Sequence, residues 1–106
     1  MAGHDSTALT EGVYYILLSL TGPMHGYGIM QKVEEMSQGR LRIAAGTLYG
    51  ALSSLLEKGW IRALDGAKDS RKKEYVITDE GRSVLQKELV RLEELVKNGH
   101  SVLGGE

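Results

Sequence analysis

A chain of 106 residues, 42% hydrophobic and 25% charged, is the size and composition of one folded domain and leaves no room for a second core. The absence of cysteine excludes disulfides and thiolate metal sites. No apolar run is long enough to cross a bilayer, and residues 1–10 lack a signal-peptide pattern, so a cytoplasmic location is expected with no membrane partner. The net charge of −1 is unevenly spread: between Lys58 and Lys73 six cations face only Asp65 and Asp69, which leaves +4 in one short segment.

In chain order, Leu9, Val13, Ile16, Leu17 and Leu20 fall on one helical face and predict a helix from Leu9 to Thr21, closed by Gly22-Pro23. Tyr14 and Leu18 lie on another face, so this helix is apolar more than halfway round and is expected to touch a second surface besides its own core. A second helix is predicted from Gly26 to Ser37. Tyr27, Met30 and Val33 form its buried face, Ile29 and Met36 extend it, and Gly39 stops the helix. The alternation of charged and apolar residues in RLRIA (40–44) predicts a short strand.

The third helix is predicted from Ala45 to Lys58, with Leu48, Leu52, Leu55 and Leu56 as its apolar stripe, Ala51 beside them, and Gly59 as its stop. Its other face carries Gly46, Tyr49, Gly50, Ser53 and Ser54. Exposed helix faces are usually dense in Lys and Glu, so this smooth uncharged surface suggests close approach to a partner. A hairpin follows: a strand from Trp60 to Asp65, a polar turn over 65–70, and a returning strand from Lys72 to Thr78. Trp60 reads mainly as core. Thr78 is a good N-cap for a last helix running to Asn98, with Gly99 as its stop and a frayed tail over 99–106. Within that helix Leu85, Leu89, Leu92 and Val96 are spaced four, three, four, a coiled-coil-like seam. Val84, Val90 and Leu95 widen it beyond what one small core needs.

The fold class that results is mainly α with a small β-hairpin: a winged helix-turn-helix over 9–78 and one long C-terminal helix over 79–98 in a single domain, 1–106. In that geometry the third helix enters the major groove of double-stranded DNA. Thr47, Tyr49, Gly50, Ser53 and Ser54 are the expected groove residues, although Thr47 also suits a helix start and Tyr49 a core edge. Lys68, Arg71, Lys72 and Lys73 are expected on phosphates, setting affinity and salt dependence rather than sequence choice. An enzyme finds little support. Glu34-Glu35 and Glu93-Glu94 sit on polar helix faces, and His4, His25 and His100 have no metal-ligand spacing, so no metal or cofactor is expected. The alternative function is a winged-helix protein–protein interaction module, which would not need a basic wing.

Three stretches, in order and correctly spaced, resemble the PadR family of bacterial transcriptional regulators. GPMHGYGIM (22–30) is similar to the family's entry into its second helix, GTLYGALSSLLEKGWI (46–61) to its recognition helix, and RKKEYVITDEG (71–81) to the end of its wing. The resemblance spans about Leu9 to Asn98 and points to the short subfamily. It implies a homodimer formed through the last helix with help from the first, with Tyr14, Leu18, Leu85, Leu89, Leu92 and Val96 at the interface. It also implies a palindromic operator, repression of transcription, and release by a small aromatic or drug-like effector. This chain departs from the family at Ala44 and Ala45, where Ser and Pro are frequent and a capping side chain is lost. It departs again at Glu74, a position often aromatic. With no aromatic residue between Asp79 and Asn98, stacking of a flat effector between two last helices has no specific support.

Overall fold

The computed structural model describes residues 8–64 and 72–104. Among these the order is α1 (Glu11–Ser19), β1 (Met24–His25), α2 (Gly26–Met36), α3 (Ala45–Lys58), β2 (Ile61–Ala63), β3 (Glu74–Ile77) and α4 (Asp79–Leu103). The strands form one antiparallel sheet in the order β1-β3-β2, with Ile61 opposite Ile77 and Met24 opposite Tyr75. This is a mainly helical winged helix with a long C-terminal helix, as the sequence predicts.

Local chemistry sets the helix starts. The Thr10 hydroxyl accepts from the Val13 N–H at 3.2 Å to cap α1, and the Thr78 hydroxyl accepts from the Gly81 N–H at 3.1 Å to cap α4. At α2 the cap is His25, whose Nδ1 accepts from the Gly28 N–H at 3.0 Å. Ala44 offers α3 no side-chain cap, and Gly59, at φ 78°, closes that helix in the left-handed conformation. The core joins Ile16, Leu17 and Leu20 of α1 to Ile29 and Val33 of α2 and Leu48, Leu52 and Leu55 of α3, with Ile61, Ile77 and Leu85 completing it. Full burial of each such side chain contributes roughly 1.5–3 kcal/mol, which is what fixes the three helices against the sheet.

Five expectations need correction. Residues 41–44 form no strand. Leu41 and Ile43 are half-buried in the predicted alternation, but the free edge of β3 is taken by β1, which the sequence reading missed. Side chains hold the segment instead: the Leu41 N–H donates to Ser37 Oγ at 3.0 Å, Arg40 pairs with Glu11, and Arg42 pairs with Glu34 at 3.1 Å. Tyr27 is 63% exposed rather than buried, because the flanking Gly26 and Gly28 turn inward. A Cβ on Gly26 would overlap the Tyr49 hydroxyl, and one on Gly28 the Met24 sulfur. Leu56 is exposed, since Leu52 and Leu55 already fill the core-facing turn of α3. Helix α4 continues through Gly99 to Leu103 and stops at Gly104, so residues 99–103 are helix and not tail. Leu85, expected at an interface, is buried in the protomer's own core.

Candidate nucleic-acid interface

Helix α3 divides its surface three ways. Leu48, Leu52 and Leu55 are buried, while Thr47, Tyr49, Gly50 and Ser53 are exposed. Ser54 is exposed too, but it lines a groove against α1 and α4 with Ala51, Leu55 and Lys58, apart from the others. Tyr49 is part packed and part exposed. Its ring lies against the bare Cα of Gly26, and 39% of the residue remains exposed. Beneath it Tyr75 of β3 has its phenol pushed up, first by burial and then by the neighbouring Tyr49.

The two glycines of this face are informative. A Cβ at Gly46 or Gly50 would meet nothing within 4 Å among the described residues, whose packing requires neither glycine. Gly50, in the helix interior, costs α3 up to about 1 kcal/mol relative to alanine. Gly46 lies in the first turn of α3 and Gly50 within the helix, and both leave its exposed face without side-chain bulk.

In the wing, β2 and β3 pair from Ile61–Ile77 to Ala63–Tyr75, and the Leu64 N–H donates to the Glu74 carbonyl at 2.8 Å. Arg62 is exposed on β2, and Lys72 and Lys73 are exposed where the chain enters β3. Lys68 and Arg71, with the turn over 65–70, lie outside the described residues. Of the expected interface residues on the first and last helices, Tyr14, Leu18 and Leu92 are half-buried, while Leu89 and Val96 are exposed at 46% and 59%.

Glu88 is a residue that sequence reasoning missed. It reads as part of α4's polar face, yet it is 5% exposed and its carboxylate accepts two bonds from Arg91, at 2.9 and 2.7 Å, and one from the Leu9 N–H at 3.3 Å. The Arg91 bonds hold its pKa below the usual carboxylate range against the opposing effect of burial. The only signal in the sequence was Arg91 three residues on, a spacing too common to single out. Among the described residues no group of three His, Cys, Asp or Glu is arranged to hold a metal, and no helix is long and apolar enough to cross a membrane.

Comparison with known proteins agrees with this geometry. Residues 14–87 match the transcriptional regulator PadR-like family. An uncharacterized 37.1 kDa protein in a transposon of Streptomyces fradiae is 39% identical over 67 residues, which is 63% of this chain and 18% of that protein's length. The chain thus spans under a fifth of that curated relative. Among solved structures, a transcriptional regulator from Clostridium thermocellum superposes with a TM-score of 0.71 at 24% identity, covering 86% of this chain and 87% of the other. A PadR family transcriptional regulator from Eggerthella lenta gives 0.70 at 26% identity, covering 86% and 80%.

Proposed function

This chain belongs to the transcriptional regulator PadR-like family, and from that premise we propose that it is a cytoplasmic repressor that binds a palindromic operator as a homodimer and is released by a small-molecule effector. DNA-binding regulation of transcription, rather than an enzymatic reaction, is the family's activity. The observation that carries DNA binding through α3 is its exposed, uncharged face, where an added Cβ at Gly46 or Gly50 would meet nothing within 4 Å among the described residues. Tyr49 and Ser53 stand on that face to read base edges, with Thr47 at its start. Lys72 and Lys73, exposed where the chain enters β3, serve phosphates together with Lys68 and Arg71. Two copies related by a two-fold axis would present their third helices to successive major-groove turns roughly 34 Å apart.

The second copy is suggested by α4. Over 25 residues the helix is about 37 Å long, and no described residue beyond Glu88 is buried. The seam predicted from Leu85 to Val96 extends to Gly99 and Leu103 in the same four-and-three spacing. An apolar stripe of that length standing in water fits a partner with the same stripe.

The test is binding to DNA from the chain's own promoter region at two salt concentrations. Tyr49→Ala should lose selectivity between operator and random DNA. The Arg71/Lys72/Lys73 triple alanine variant should weaken both alike and flatten the salt slope by about 2–3, roughly 0.9 for each phosphate contact removed. A triple variant with unchanged slope, or a Tyr49→Ala protein with full selectivity, would rule the proposed contacts out.

A further inference from the structure

We infer that Gly26 is a positioning residue for Tyr49: the bare first turn of α2 sets the angle at which the phenol of α3 meets DNA. This rests on the reading of Tyr49 as a base-edge contact and adds what aims it. The backbone does not ask for glycine at position 26. The residue opens α2, where alanine serves a helix at least as well, and its φ lies outside the left-handed region that Gly39, Gly59 and Gly104 adopt. A neighbour asks for it instead. Among the described residues the three nearest heavy atoms that a Cβ would meet all belong to Tyr49: the hydroxyl oxygen, overlapped outright, Cζ at 2.9 Å and Cε1 at 3.4 Å. Gly26 is itself buried, with that ring standing where its side chain would be.

The phenol has a second neighbour in the sheet. Tyr75 of β3 is buried close to it, and Tyr75 stands opposite Met24 of β1. Met24 in turn packs on Gly28, two residues beyond Gly26. The start of α2, the strand before it and the returning strand of the wing thus meet around one side chain of α3. Tyr49 is still 39% exposed, so these contacts fix part of the ring and leave the rest to a partner. A side chain held in this way has given up its rotamers before DNA arrives. Its contact is stronger by roughly two- to tenfold than one made by a side chain ordered only on binding. That gain falls on sequence choice, because base edges discriminate and phosphates do not. A methyl added at Gly26 moves the ring rather than the fold. The end of a partly exposed side chain can swing outward, whereas a Cβ at Gly81 meets the Trp60 carbonyl, which cannot.

The experiment is a double-mutant cycle of Gly26→Ala and Tyr49→Ala in the full chain. It reads the ratio of affinities for a duplex that wild type selects from a random-sequence pool and for an unselected duplex of equal length. Tyr49→Ala should lower that ratio about tenfold or more. Gly26→Ala should lower it roughly two- to tenfold, leave affinity for the unselected duplex unchanged, and change nothing further when added to Tyr49→Ala. In free wild type, nuclear Overhauser contacts should join the Gly26 α-protons to the Tyr49 ring, and the ring resonances should move in Gly26→Ala. Full selectivity in Tyr49→Ala overturns the base-edge reading and the positioning with it. Selectivity lost in Tyr49→Ala but intact in Gly26→Ala keeps that reading and overturns the positioning alone. A Gly26→Ala change that destabilises the Tyr49→Ala chain as much as wild type marks a purely structural glycine and also overturns it, as does a wild-type Tyr49 ring without contact to Gly26.

Discussion

Helices α3 and α4 each expose a long face, and the two faces are opposite in kind. That of α3 is neutral, small and polar, with a tyrosine and two glycines that packing does not require. That of α4 beyond Glu88 is apolar, with Leu89, Val90, Leu95 and Val96 exposed and Val102 and Leu103 still more so, at 84% and 86%. Water rewards neither arrangement, since a face with no partner does best with Lys and Glu. The difference supports the partners proposed for each: a polar groove lined with base edges for α3, and another apolar stripe for α4. Gly99 repeats on α4 what Gly46 and Gly50 do on α3, for a Cβ there would also meet nothing within 4 Å.

The largest effect is expected where the apolar face is converted into the other kind. Leu89→Glu/Val96→Glu buries two unpaired carboxylates in any self-association through α4 and should weaken it by two to three orders of magnitude, about 3–4 kcal/mol. Sedimentation should find monomers, with operator affinity falling in step while helical content is unchanged. A double variant that remains dimeric would reassign the stripe. Next in size is Gly81→Ala, at the joint that sets α4 on the sheet. The added Cβ would overlap the Trp60 carbonyl oxygen and lie 2.7 Å from Ile77 Cγ1. Backbone cannot yield as a side chain can, so about 3 kcal/mol should be lost and thermal unfolding should move down by more than 10 °C, roughly 4–8 °C per kcal/mol at this size.

The overall fold and the helical parts of the site were legible in the sequence because they rest on periodicity. The bounds of α3 match at both ends, since Gly59 and the leucine stripe are strong local signals. Long-range choices were less visible. Residues 40–44 alternate like a strand, but a strand needs an edge, and β1 holds it. Tyr27 looks buried by spacing alone, and only the packing of Gly26 on Tyr49 and Gly28 on Met24 turns it outward. A glycine inside a helix carries no mark of where the helix ends, so Gly99 was read as a stop; the helix passes through it because Gly104 does that work at φ 75°.

Glu88 stands where the comparison begins, the last buried residue before α4 leaves its own protomer. Glu88→Gln keeps the shape and loses the charge-assisted bonds to Arg91, which should cost about 1.5–3 kcal/mol near neutral pH. The sign of its pH dependence follows from the direction of its shift. The folded-state value is depressed, so the contribution is complete above the ordinary glutamate value of about 4.3 and is lost as pH falls through the lower, folded one. Denaturant midpoints of wild type and Glu88→Gln should therefore differ at about pH 6 and converge as the pH falls below the ordinary glutamate value and through the lower, folded one. A gap that persists in acid would show the carboxylate acting through shape alone.

The smallest effects test the comparison most directly, because their signs oppose one another. Gly50→Ala and Gly99→Ala each add a methyl into open space and remove glycine's cost to the helix, so each should stabilise the isolated fold by about 0.5–1 kcal/mol. Neither change alters charge or removes a hydrogen bond. If the two faces have the partners argued for them, Gly50→Ala should lower operator affinity and leave self-association alone. Gly99→Ala should lower self-association and reach DNA only through it. The measurement pairs monomer stability in denaturant with the two binding equilibria for each variant. A gain in stability with no loss in either equilibrium would mean that the glycine is incidental. A loss at Gly50 in dimerisation rather than DNA binding would exchange the roles of the two faces.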